Sequence, residues 1–153
     1  MPAVTPAEMI EEETGGVCGP SRALWISAAG DLTQFGAFVE ILEPGSRSSI
    51  THWHSNEDEM VYVLDGEVTL VEGGAETLLR PGDAATFKAG VPVGHHLHNR
   101  GTVPTRCLVV GTRAPADRTT YPDDDRVCHR DRAVSDDVWT DLAGRPATCP
   151  YDD

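Results

Sequence analysis

His52-Trp53-His54 sets two imidazoles one residue apart, Glu59 follows five positions later, and His95-His96-Leu97-His98-Asn99 answers some forty residues downstream. Five of the six histidines fall between residues 52 and 98, among Val, Thr, Tyr and Leu runs that read as strands. Side chains at i and i+2 of a strand share a face, so His52 and His54 project to one side while Trp53 packs on the other. The bend through Ser55-Asn56-Glu57-Asp58 brings Glu59 back toward the pair. Two imidazoles with a hard carboxylate form a mixed nitrogen and oxygen donor set for a divalent transition metal: Fe, Mn, Ni, Co or Zn. Glu57 and Asp58, in the same acidic turn, read as solvated groups. Trp53 and Phe38 read as packing aromatics, and Tyr62 as an outward-facing one.

The elements that must hold these donors are short strands. From Arg22 to Thr112 the candidates are Leu24 to Ser27, Gly36 to Leu42, Ile50 to His54, Met60 to Leu64, Glu67 to Val71, Glu76 to Leu79, Ala84 to Lys88, His95 to Asn99 and Thr105 to Gly111. Pro44-Gly45, Asp65-Gly66, Gly73-Gly74, Pro81-Gly82, Gly90 and Arg100-Gly101 punctuate them as turns. Leu64-Asp65-Gly66-Glu67, between two apolar runs, is a hairpin signal. Short strands at this spacing, with no helix between them and no internal repeat, predict an all-β double-sheet jelly roll or barrel over residues 21–112.

The flanks differ in composition. Residues 1–20, with Pro2, Pro6 and Glu11-Glu12-Glu13, read as an N-terminal arm with a helical turn at Pro6 to Glu12. Residues 113–153 carry Asp123-Asp124-Asp125 and few apolar anchors: Tyr121, Val127, Val134, Trp139 and Leu142. They read as an extended C-terminal segment packing on the barrel or on a partner subunit.

The chain has 153 residues, 39% of them hydrophobic, with 15 Gly and 11 Pro, which fits one turn-rich domain. A formal charge of -13 argues against nucleic acid, whose phosphates demand clustered Lys and Arg, and against anionic membrane surfaces. No apolar stretch approaches the roughly 20 residues that span a bilayer, and no basic segment followed by an apolar run opens the chain. The expected location is cytoplasmic. Cys18, Cys107, Cys128 and Cys149 form no C-x-x-C pair; Cys107 reads as a buried small hydrophobe and the others as free thiols.

Over residues 36–112 the chain resembles the cupins. The first cupin motif is matched by Gly45, His52-Trp53-His54, Glu59 and Gly66, with one extra residue between Gly45 and His52. The second is matched by Gly82, Lys88-Ala89-Gly90, His95 and Asn99, with Lys88 where the family usually has proline and two extra residues before His95. Gly94-His95-His96-Leu97 and Tyr121-Pro122-Asp123 look like features of small bacterial single-domain cupins. The resemblance implies a double-stranded β-helix, a homodimer, and His52, His54, Glu59 and His95 as metal ligands. Three imidazoles and one carboxylate leave two positions open on an octahedral ion for water, dioxygen or a chelating substrate. His95 and His96 point to opposite faces of a strand; His95 shares its face with Leu97 and Asn99, and an inward Leu97 favours His95 over His96. His98 reads as an exposed strand residue and His129 as a solvated one.

The site predicts a metal-dependent enzyme acting on a small oxygen-rich or chelating molecule, with Glu59 as ligand and, if it detached, as catalytic proton acceptor. Dioxygenase chemistry stands slightly ahead of isomerase or lyase chemistry, because this donor set tolerates redox-active iron. The alternative is a non-catalytic binding or sensing cupin, motivated by a scarcity of basic residues to hold an anion beyond Arg47, Arg80, Lys88 and Arg106. A cavity lined by Arg or Lys beside the metal would favour an enzyme for acids or phosphates; a wholly apolar one would favour storage or sensing.

Overall fold

A computed structural model describes residues 3–152. Its strands are β1 (Ile10–Thr14), β2 (Ser21–Trp25), β3 (Phe35–Leu42), β4 (Trp53–His54), β5 (Glu59–Asp65), β6 (Val68–Glu72), β7 (Ala75–Leu79), β8 (Ala84–Phe87), β9 (His95–His98), β10 (Thr105–Thr112), β11 (Ala116–Tyr121), β12 (Arg126–Asp131) and β13 (Val138–Thr140), with one helical turn, α1 (Ile26–Ala29).

One wall of the jelly roll is a six-stranded sheet in the order β1-β2-β3-β10-β5-β8. The other is assembled from a three-stranded sheet, β7-β6-β9, and a four-stranded sheet, β13-β12-β11-β4. Paired backbone bonds between His52 and His95 join these two pieces, His95 N–H donating to His52 O at 2.9 Å and His52 N–H to His95 O at 3.2 Å. The two histidine motifs are therefore adjacent strands of one wall.

Alternation decides what lies inside. Val61 and Val63 on β5, Cys107 and Val109 on β10, Leu42 on β3 and Leu97 on β9 meet Val68, Leu79 and Ala85 in one buried cluster, with Phe38, Leu70 and Phe87 against it. Fully burying an aliphatic side chain of this size contributes about 1.5–3 kcal/mol, so this cluster is the chief reason for the two walls to close. At the β5–β6 hairpin Gly66 has φ +75°, and a Cβ there would lie 3.0 Å from the Pro104 carbonyl oxygen, so glycine is required.

Several sequence expectations change at the flanks. Residues 10–14, read as part of an arm, form β1, which pairs antiparallel along the whole of β2. Residues 113–153, read as an extended segment, supply β11, β12 and β13, which pair with one another and, through β11, with β4. The buried positions of β11 are largely polar, Asp117, Thr119 and Thr120, so hydrophobic alternation does not mark it as a strand. Tyr121 and Val127 are buried as anchors, whereas Val134 and Leu142 are exposed. The turn expected at Pro6 to Glu12 is a 3-10 turn over Pro6–Glu8, and the strand expected at Leu24 to Ser27 gives way to α1 after Trp25. None of the helices described is long and apolar enough to cross a membrane.

Candidate metal centre

β4 delivers His54, the residue before it delivers His52, and their rings stand edge to face with centroids 5.1 Å apart. Glu59 opens β5 in the opposite wall and reaches back to them: one oxygen lies 3.7 Å from His54 Nε2 and the other 3.7 Å from His95 Nε2. His95 opens β9, its ring centroid 4.8 Å from that of His52. The structure thus brings the four residues together at the barrel interior, where His52, His54 and Glu59 form a group compact enough to ligate one ion; His54, Glu57 and Asp117 form a second such group beside it. His96 turns to the other face, where its Nδ1 bonds the Thr51 hydroxyl at 3.0 Å. The register is pinned from both sides. Asn99, fully buried, donates to the carbonyls of Leu42 and Val103 at 2.9 Å, and a Cβ on Gly94 would lie 2.6 Å from Thr51 Cγ2.

Each ring is oriented by what lies around it. His54 Nδ1 meets Asp117 Oδ2 at 2.7 Å and His52 Nδ1 meets the Ile50 carbonyl at 2.9 Å, so Nδ1 is the donor in both and the Nε2 lone pairs face Glu59. His95 stacks flat on Phe87, 3.5 Å between centroids and 3° between planes. Both ring nitrogens of His95 are buried without a hydrogen-bond partner among the described residues. An orphaned buried imidazole carries a substantial desolvation cost, and an ion bound between His95 Nε2 and Glu59 would remove the share that falls on Nε2. At 3.7 Å the pairs to Glu59 are too long for hydrogen bonds but leave room for an atom between them. The donor set therefore fits a divalent metal, with the hydrogen-bonded outer carboxylate typical of such centres.

The electrostatics agree. Burial pushes the His52 imidazole down to about 4, so it stays neutral at pH 7 with its lone pair available. Burial also opposes charge on His54, yet Asp117 first, then Glu59 and Glu57, outweigh it and raise its pKa. For Glu59 burial works upward, but His95, His52 and His54 overcome it and hold the carboxyl below its ordinary value. Asp117 likewise resists burial through its bond from His54 and the Asn56 N–H, and falls to about 2.

The site opens into a cavity of about 310 Å³ whose lining includes Glu40, Phe87, Arg113, Arg130 and Arg132. None of these five is evident from the histidine pattern. Arg130 forms a two-point pair with Asp137, and Arg132 pairs with Glu57 at 2.6 Å. Glu57, read as solvated, is thus part of the cavity wall. Arg113 packs its guanidinium against Gly36 and has no carboxylate or carbonyl partner for that group among the described residues. The basic residues weighed from sequence stand elsewhere: Arg47 binds the Val17 carbonyl, Arg80 pairs with Glu67, Arg106 lines a separate surface cleft, and Lys88 edges a smaller cavity of about 180 Å³.

The Cupin domain family matches residues 38–111. Among solved structures, a sugar phosphate isomerase from a cupin superfamily of Silicibacter pomeroyi is 34% identical, with a TM-score of 0.86 over 98% of this chain and 99% of that one. A provisionally named sugar phosphate isomerase from Acidithiobacillus ferrooxidans is 27% identical, with a TM-score of 0.81 over 94% and 92%. A predicted oxalate decarboxylase from Thermotoga maritima is 23% identical, with a TM-score of 0.60 over 73% and 99%, a likeness of fold. No curated protein matches the chain.

Proposed function

The chain belongs to the cupin superfamily, and on that premise we propose that it is a metal-dependent isomerase of a small phosphorylated or similarly anionic sugar. The observation that carries the reading is Arg113, a guanidinium with no carboxylate or carbonyl partner among the described residues, in the wall of the cavity that holds the His52, His54, Glu59 and His95 cluster. A planar, permanently charged fork is suited to the oxygens of a phosphate or carboxylate. The similarity to two proteins named for sugar phosphate isomerisation supports the same reading.

His52, His54, Glu59 and His95 would hold the ion. When bound, it supplies Lewis-acid polarisation of substrate oxygens. The protein does the rest. Arg113 takes the anionic end, with Arg130 and Arg132 adding positive potential that Asp137 and Glu57 partly offset. Asp117 keeps the His54 ring turned toward Glu59, and Phe87, Val61 and Val109 line the cavity and keep water from reactive intermediates.

Dioxygenation, slightly preferred on sequence grounds, ranks second because nothing about a redox ion requires an arginine-lined cavity. A panel of aldose and ketose phosphates, followed by proton NMR with and without chelator, tests the proposal. Chelator-sensitive interconversion is expected; oxygen uptake with enols, catechols or thiols and no sugar interconversion would reverse the order. A homodimer is part of the same proposal. β1 presents five exposed residues at a sheet edge that a second copy could cover, and light scattering should give about twice 16.5 kDa.

A further inference from the structure

Glu40 lies mid-way along β3 on the inward face shared with Phe38 and Leu42, a carboxylate where the pattern calls for an apolar residue. Its residue is 8% exposed, and among the described residues no hydrogen bond or ion pair reaches its carboxylate. A carboxylate that faces a cavity from a core strand, held by no protein partner, contributes nothing to packing, so its presence needs another reason. Its position offers one. Glu40 lines the cavity of the His52, His54, Glu59 and His95 cluster, and it also lines a second cavity, of about 290 Å³, that runs beside β1 and β2 past Cys18, Ser21 and Tyr151. Trp25, Phe38, Glu40 and Ser48 form the partition between the two, and Glu40 is the titratable member.

We propose that Glu40 is the catalytic acid and base of the reaction, moving a carbon-bound proton of the substrate between adjacent carbons and exchanging it through the second cavity. The inference rests on the isomerase reading. In the step, the Glu40 carboxylate takes the proton from the hydroxyl-bearing carbon. The C–H pair becomes a carbon–carbon double bond, and the carbonyl π pair moves onto oxygen, which is protonated as the neighbouring hydroxyl gives up its proton. The pair from that O–H bond forms the new carbonyl, the double bond's electrons take the proton back from Glu40 at the former carbonyl carbon, and the carboxylate is regenerated. One hydrogen has moved between carbons and one between oxygens, with no net oxidation.

The environment suits the task. In the metal-free protein burial, and after it the charge of Glu59, push the Glu40 carboxyl upward, so this group holds a proton more readily than an exposed glutamate does. Cys107, opposite it on β10, and Cys18 in the second cavity are the other titratable groups that sense it, and burial pushes both thiols up, so they stay neutral.

The test uses the metal-loaded full chain with Glu40→Gln, which keeps shape and removes the proton-carrying function. Exchange of the substrate's carbon-bound hydrogen with D2O and isomerisation should both fall about 100-fold or more. Metal per chain, and binding of a polyol phosphate that cannot isomerise, should match wild type. Glu40→Ala should regain exchange as formate is added, because formate can occupy the vacated space and carry the proton; a purely structural residue gives no such rescue. Undiminished exchange in Glu40→Gln beside an active wild type overturns the role of Glu40 alone, as does loss without formate rescue. Absence of exchange in wild type overturns the isomerase reading and this inference with it.

Discussion

Asp117 and His54 lie 63 positions apart, yet Asp117 Oδ2 accepts a 2.7 Å hydrogen bond from His54 Nδ1. The bond ties β11, from the C-terminal part of the chain, to the first histidine motif, and the backbone pairing of Thr119 with His54 brings the two strands together. The C-terminal strands are therefore a working part of the site: they orient one proposed ligand through Asp117 and bring Arg130 and Arg132 to the cavity.

Asp117→Asn tests that tie. An amide can still hold the ring but supplies no charge, so metal affinity should drop about 10- to 100-fold while the fold persists. Competition against a chromogenic chelator, with circular dichroism alongside, measures both; unchanged affinity would detach β11 from the centre.

His95 and His96 can be separated by a paired substitution. His95→Ala removes one of the two imidazoles that lie 3.7 Å from Glu59 and should leave metal well below one ion per chain, whereas His96→Ala, which loses a bond to Thr51, should retain it. Elemental analysis decides. Retention in His95→Ala with loss in His96→Ala would reverse the register of the site.

Arg113→Gln should raise KM for an anionic sugar about 10-fold or more while leaving metal content at the wild-type value, since the guanidinium has no other described partner to release. Steady-state kinetics against phosphorylated and unphosphorylated forms of one sugar separate charge recognition from a general loss. An equal effect on both forms would count against an anion subsite at Arg113.

Glu40 predicts a pH signature in metal-free protein. Its folded-state pKa, about 8, lies above the ordinary carboxylate value of 4.5. The folded protein therefore keeps a proton the unfolded chain releases, and the stability this group contributes is complete below about 4.5 and lost as pH rises through about 8. Gln carries no such proton. The stability of Glu40→Gln relative to wild type should accordingly increase from pH 4.5 to 8 and then level off; urea melts across that range check it, and a constant difference would contradict a raised pKa.

The sequence makes the barrel and its inner donors legible for one physical reason: strand alternation puts i and i+2 on one face, and turn glycines mark where each face ends. His52, His54 and Glu59 converge as that rule expects, and Leu97 and Asn99 indicate which of His95 and His96 turns inward. Alternation says nothing about partners distant in the chain. Asp117, Arg130 and Arg132 reach the site only because β11 pairs with β4 and β12 with β11, and Arg113 because the end of β10 lies beside Gly36 of β3; long-range pairing of this kind leaves no local signal. Glu40 is different. It stands inside the strand Gly36 to Leu42 on the face shared by Phe38 and Leu42, so a lone carboxylate among core positions was the available clue.

The central claim, that one cavity holds both a metal and a bound anion, is tested most directly by phosphorus NMR of a sugar phosphate in the presence of the Mn(II)-loaded protein. Paramagnetic relaxation depends steeply on the distance between the ion and the phosphorus nucleus. The account predicts strong broadening of the phosphate signal with wild-type protein, its loss in His52→Ala, and a marked decrease in Arg113→Gln at unchanged metal content. Broadening no greater than that from diamagnetic Zn(II)-loaded protein, with Mn(II) shown to be bound, would contradict it.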